Sequence, residues 1–485
     1  MGIVINQSFK NTLVLFLGFA IGGINVLFLF THFLHEDYYG LITFLLSSAN
    51  IIMPLMVLGM QNTVIKFFSS YTTKAEQDKL LSASLLLPLL VIIPVSIVGL
   101  VSYNAIAGWL ASENAIIKPY AYLIVVVSLF MGYFEIFYAF TKVHLQSVAG
   151  NILKEVFVRI CTTGLLFAVY LEWLTQSQFI YAVVIVYGIR MVLMMRIAFR
   201  LCKPELSFGF PNNTKEVISY SLFIVLAGSA SIILLDIDKF IIPKLKEIAN
   251  VAYYAVGIYI AQVVAIPSRA MQQIINPLTA KEINADNVNG VAALYRKSSI
   301  SLLVAGGLMF LLINCNIFDL YRIINRPEYT AGTLVVLLIS ISELTKLAIG
   351  NNGAILINSR FYKFFFYISI AMTISVILLD IWFINAYAIN GAALATLLVV
   401  LVFSGIKIYY VYRKLNIQPF NKQTFVMLLV IMGLFLVFYF LKWPFNPWIN
   451  IFIKSVLITV LYLFITYKLQ ISMEINQLFL KFLKR

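Results

Sequence analysis

The chain is 485 residues long, with 62% of them hydrophobic and only 11% charged. That excludes an ordinary water-soluble surface, since soluble domains carry about a quarter of their residues as charges. A formal net charge of +15 would suit nucleic acid in a soluble protein, but Lys and Arg here cluster in alternate loops, the pattern of a membrane topology.

Fourteen apolar runs of about 18–26 residues follow one another, each long enough to cross the ~30 Å hydrocarbon layer as a helix. They are 11–33, 41–64, 80–104, 118–140, 146–171, 177–200, 217–241, 252–276, 298–320, 329–349, 361–384, 389–411, 424–441 and 447–468, here called helices 1 to 14. Membrane strands would alternate in polarity over ~10 residues, whereas Leu85–Pro94 and Leu397–Phe403 are apolar on every side. The fold predicted is therefore all-α and polytopic, and the short connections leave no room for a soluble catalytic domain. Helix 1 is too long for a signal-peptide core and reads as a retained helix. With the N-terminus inside, the inward loops carry Lys66, Lys74, Lys79, Lys142, Lys203, Arg296, Lys297, Arg360, Lys363, Arg413 and Lys414. The outward loops carry only Lys118, Lys244, Lys246, Arg322, Arg326 and Lys442. Both termini are expected in the cytoplasm.

Along the chain, Gly18-x-x-x-Gly22 on helix 1 suits close helix contact, and Pro54 on helix 2 and Pro267 on helix 8 predict kinks. Helix 8 repeats helix 2 in outline. Tyr38-Tyr39-Gly40, Pro54 and Gln61 are matched by Tyr253-Tyr254-Ala255, Pro267 and Gln272. The two elements lie six helices apart, which predicts two six-helix lobes, 1–205 and 206–415, with helices 13 and 14 and a tail appended at 416–485. Such repeats place a substrate site near the midplane. Cys161, Cys202 and Cys315 have no pairing or metal spacing, and no Cys, Asp or Glu cluster gives metal spacing around His32, His35 or His144, so no metal or other cofactor is expected.

In this order, certain residues carry a resemblance. They are Glu36-Asp37-Tyr38-Tyr39-Gly40, Leu58-Gly59-Met60 with Lys66-Phe67, Asp236-Ile237-Asp238-Lys239-Phe240, Tyr253-Tyr254 and Gly391-Ala392-Ala393-Leu394-Ala395-Thr396. With twelve helices plus two, the chain resembles the Wzx-type polysaccharide, or O-antigen, flippases of the multidrug/oligosaccharidyl-lipid/polysaccharide exporter superfamily. The resemblance implies two lobes around a central cavity and a function that is not enzymatic. Its implied substrate is a sugar repeat unit on polyprenyl diphosphate, moved from the cytoplasmic to the periplasmic leaflet of the bacterial inner membrane. Implied partners are membrane lipids, a polysaccharide polymerase and glycosyltransferases, with no nucleic acid. No GxxxxGK[ST] loop is present, so energy would come from an ion gradient, the membrane potential or the substrate gradient.

Ionisable groups at bilayer depth are expensive and so mark candidate sites. Lys154, Glu155 and Arg159 share helix 5, and Glu155 and Arg159 meet at i, i+4. Arg159 lies ~20 Å along the axis, and Arg190 sits at similar depth on helix 6. For a diphosphate, Arg159, Arg190 and Lys154 are the candidate cationic ligands, because the guanidinium fork matches phosphate oxygens. The competing reading makes Glu155–Arg159 a neutralising pair, with Arg196 snorkelling to the interface. Arg269, just past Pro267, faces the cavity or serves as an inner-end charge. Glu343, Glu135 and Asp380 are candidates for binding a coupling proton or Na⁺. Against that, Glu343 pairs locally with Lys346 at i, i+3, and Asp236, Asp238 and Lys239 suit an ion pair anchoring the end of helix 7.

Three other assignments remain. A multidrug or cation exporter of the same superfamily is expected to hold an acid deep in an early helix, where helix 1 offers only Asn25. The murein-precursor flippases are expected to hold arginines on helices 1 and 2, where this chain has none. A membrane polymerase or glycosyltransferase would rest on Asp236-x-Asp238 alone, in an outward segment with no sizeable loop.

Overall fold

Without water to satisfy it, a backbone crossing a bilayer must bond to itself, and long apolar runs do so as helices. The structure, a computed structural model, describes residues 2–205, 209 and 211–471. The end of the appended tail, past 471, lies outside the described residues. All fourteen apolar runs are helical, and among the described residues there is no strand. Eleven helices there are long and apolar enough to cross a membrane. One of the eleven, Tyr362–Leu415, is 54 residues long and contains Ala388 at φ 48°, ψ −133°. It is helices 11 and 12 meeting at a single non-helical residue. The protein is a multi-pass membrane protein.

By packing, the chain divides into two units, Met1–Ala252 and Tyr253–Arg485. Helix 7, observed as Thr214–Leu245, lies along helix 2 in the first unit, whereas division by sequence repeat assigns it to the second lobe. Helices 13 and 14 stay within the second unit.

In the first unit, helix 4 (Leu123–Val143) packs against helix 6 (Gln176–Leu201) and helix 2. Thr175 caps helix 6, its hydroxyl taking the Gln178 amide while the Gln178 side chain takes the Thr175 amide; two otherwise orphaned donors are satisfied. Val57, Met60, Phe134, Phe140 and Met194 form the core between them. Helix 2 breaks between Met56 and Met60, just past Pro54. Gly59 has φ 65°, and a Cβ there would stand 2.6 Å from Ile224 Cγ2 on helix 7, so conformation and space both require glycine. Two helices carry π-turns, whose i→i+5 bonding widens the coil by one residue. They are Asn25–Leu29 on helix 1 and Ile152–Phe157 on helix 5.

In the second unit, helix 8 also breaks, through a 3₁₀ turn at Gln262–Ala265 followed by Pro267 in the first turn of Ile266–Asn284. Helices 13 (Lys422–Phe440) and 14 (Pro447–Lys468) pack on helix 9, with Ile431 and Tyr462 over Gly307. Tyr462 Oη donates to Val304 O at 2.6 Å. Lys454 of helix 14 is 3.4 Å from Asp319, and both are buried.

Candidate functional site

Helix 4 places Glu135 and Lys142 seven residues apart, two turns on one face. The π-turn on helix 5 holds Lys154 and Glu155, and Arg159 follows one turn later. Helix 6 adds Tyr187 and Arg190. These side chains, with Asn50, Gln61 and Asn62 of helix 2, line one cavity of about 510 Å³ within the first unit.

Its electrostatics are uneven. Lys154 Nζ lies 2.6 Å from Glu135 Oε1, and Arg159 lies 3.3 Å from Glu155 Oε2. Two further cations reach the cavity without a carboxylate partner within salt-bridge distance among the described residues. Lys142 Nζ sits 3.8 Å over the Tyr138 ring. The Arg190 guanidinium, only 6% exposed, is held 4.1 Å from the Phe134 ring centroid and 4.7 Å from that of Tyr187. Ring faces attract cations, by about 2 kcal/mol where water is excluded, but they accept few of the five N–H groups. Arg190 Nε and Arg159 Nη1 are buried with no hydrogen-bond partner among the described residues. An unmet buried donor costs roughly 1–3 kcal/mol, so both are poised for an acceptor. Four cations against two carboxylates leave the lining with an excess of positive charge.

Helix 1 fixes the position of Arg159. Asn25 Nδ2, in the helix 1 π-turn, donates to Arg159 O at 2.9 Å, and Asn25 Oδ1 accepts from Thr163 at 2.8 Å. A Cβ on Gly18 would come within 2.8 Å of Glu155 O and 3.0 Å of Arg159 Nη1. Across the cavity, Asn50 donates to Asp236 at 3.0 Å, and Lys239 pairs with Asp236 at 2.6 Å. The Asn50–Asp236 bond ties helix 7 to helix 2.

Of the residues expected from sequence, Arg159, Arg190, Lys154 and Glu135 meet in this cavity. Arg269 is exposed in the second unit and lines neither this cavity nor the one described there below. Glu343 pairs with Lys346 at 2.8 Å, and Asp380 is fully buried on helix 11. Sequence reading missed Lys142, counted only among cytoplasmic loop charges, and Tyr187. Their signal was present, since Lys142 shares the face of Glu135 and Tyr187 lies three residues before Arg190. Among the described residues no group of three His, Cys, Asp or Glu could hold a metal ion.

No family model and no curated protein matches the sequence. Among solved structures, the fold is similar to that of the lipid II flippase MurJ in an inward closed conformation. The TM-score is 0.69 at 13% identity, over 95% of this chain and 99% of that one. It is also similar to an inward-facing multidrug resistance MATE family transporter of the MOP superfamily, with TM-score 0.59 and 12% identity over 86% of this chain and 95% of the other. A third is the MATE multidrug transporter DinF-BH, with TM-score 0.53 and 12% identity over 87% of this chain and 97% of that one. The chain thus shares its fold with a lipid II flippase and with MATE transporters.

Proposed function

We propose that the protein is a flippase of the Wzx type, carrying a polyprenyl-diphosphate-linked sugar repeat unit from the cytoplasmic to the periplasmic leaflet of the bacterial inner membrane by alternating access. The observation that carries this reading is the convergence of Arg159, Arg190, Lys142 and Lys154 on one cavity, with buried guanidinium donors left unmet. The shared fold with a lipid II flippase supports it. A diphosphate diester carries two negative charges and several acceptor oxygens, which Arg159 and Arg190 would receive by charge-assisted hydrogen bonds. Glu135 and Glu155 would compete with the entering phosphates for Lys154 and Arg159, so the site would bind without becoming a permanent trap. The lipid chain would stay among bilayer tails while the polar part crosses.

In this reading Arg269, Glu343, Glu135 and Asp380 remain the candidates for the second lobe's contact and for ion coupling. A polysaccharide polymerase and glycosyltransferases act after and before the transport step. A cation exporter is disfavoured by the same excess of positive charge in the cavity. The deciding experiment reconstitutes the full chain in liposomes with a labelled polyprenyl-diphosphate oligosaccharide and follows its arrival in the opposite leaflet. Protein-dependent transfer is expected. No transfer, under conditions where a cationic dye is expelled, would move the assignment to a drug exporter.

A further inference from the structure

The second unit holds its own cavity of about 520 Å³, between the middle of helix 8, Ser298 and Leu302 of helix 9, and the segment 350–358. Among the described residues, none that lines it is ionisable. Gln272, Asn276, Ser298, Asn351 and Asn358 supply amides and a hydroxyl, and Ile275, Leu302 and Ile357 supply apolar wall. This neutrality stands out because Lys281, Lys297 and Arg360 lie within two residues of lining positions, yet none enters the lining.

The floor is built and held. Asn351, 8% exposed, accepts from Ser298 Oγ at 3.0 Å and donates to Thr279 Oγ1 at 2.5 Å. Gly350 turns the chain with φ 66°, and a Cβ there would stand 2.6 Å from Ser298 Oγ. The rim keeps spare hydrogen-bonding capacity. Gln272 donates to Ser268 at 3.2 Å and Asn358 to Ala354 O at 2.8 Å, leaving their amide oxygens. Asn276, one turn from Gln272 and exposed, presents a further side-chain amide.

We propose that this cavity binds an uncharged oligosaccharide. Carboxamides offer a donor and an acceptor side by side, which matches hydroxyls that both give and take hydrogen bonds. The volume lies in the range of small-ligand pockets, and the aliphatic wall suits the C–H faces of sugar rings. The flippase reading supplies the source of that glycan, the head of the lipid-linked substrate, while the binding chemistry stands on this cavity alone.

The test uses the full chain in lipid nanodiscs with the substitution Ala354→Cys, which places a thiol in the cavity wall. Alkylation at position 354 by N-ethylmaleimide is followed by mass spectrometry, alone and with chitotriose, maltotriose, trialanine or inorganic pyrophosphate. At least one trisaccharide is expected to slow alkylation by about fivefold, the reduction at ~80% occupancy, while trialanine and pyrophosphate leave it unchanged. Adding Gln272→Leu and Asn276→Leu, with thermal unfolding checked, is expected to abolish protection. Absence of protection by both trisaccharides, protection that survives the Leu substitutions, or equal protection by trialanine would each overturn the glycan site. The variant Arg190→Gln is expected to keep trisaccharide protection while losing lipid transfer, so this proposal and the flippase reading fail separately.

Discussion

The two cavities are nearly equal in volume and opposite in chemistry. The polar lining of the first unit's cavity includes four cations and two carboxylates, that of the second four amides and one hydroxyl. The second unit does hold buried charge, but it seals it into the packing: Asp319, on the short helix Ile317–Ile324, and Lys454 of helix 14 meet at 3.4 Å, with Asn450 donating to Asp319 at 3.2 Å. The difference teaches how to read ionic side chains in a bilayer. Where opposite charges are matched and enclosed, they fasten helices. Where cations outnumber acids around a cavity, the imbalance calls for an anion from outside.

The largest test removes that imbalance. Arg159→Ala and Arg190→Ala are each expected to cut transfer of the labelled lipid-linked oligosaccharide by about 30-fold to several thousand-fold, the equivalent of ~2–5 kcal/mol for a buried charged contact, while the protein still inserts. Undiminished transfer in both would remove them as ligands. Next, Lys454→Ala leaves the buried Asp319 with only Asn450 and the exposed Arg322 as partners and is expected to lower stability by up to about 3–5 kcal/mol in thermal unfolding, with Asp319→Leu plus Lys454→Met restoring most of it. A Lys454→Ala protein as stable as the parent would show that the enclosed pair fastens nothing. A smaller effect is expected from Glu135→Gln. Its pair with Lys154 is partly exposed and worth ~0.2–1 kcal/mol, so pyrophosphate binding by isothermal titration should tighten by up to about fivefold; weakened binding would make Glu135 a ligand in its own right. Smallest is Glu343→Gln, which breaks an i, i+3 pair and is expected to change stability by less than ~0.5 kcal/mol. If transfer in that variant no longer responds to an imposed pH gradient, Glu343 is the coupling group and the second unit carries more than fastening charge.

Much of the fold was legible because bilayer crossing leaves a plain signature: each apolar run proved helical. The interruptions were partly legible. Pro54 and Pro267 announced breaks in helices 2 and 8, but the π-turns at Asn25–Leu29 and Ile152–Phe157 have no composition that separates them from α-helix. Packing was the hardest part to read, since the side of a division that helix 7 joins depends on contacts between distant segments. At the site, Arg159, Arg190 and Lys154 stood out as rare charges in apolar surroundings. Lys142 did not, because a cation at a helix end also satisfies the topology rule. The neutral cavity was invisible for the opposite reason: Gln272, Asn276 and Asn351 are ordinary residues until the fold gathers them.

The π-turn at Asn25–Leu29 has a consequence for any change in chain length. An α-helix advances about 100° per residue, and a π-turn absorbs one extra residue without passing that rotation on. Deleting a single position there, other than Asn25, would let the coil revert to regular pitch with the residues before it still facing as they do, whereas a deletion between Gly18 and the turn would swing everything before it by about 100°. Gly18 would then leave its seat against Glu155 and Arg159, and a bulkier neighbour would take its place. Of the one-residue deletions in helix 1, one at this turn should therefore be the best tolerated.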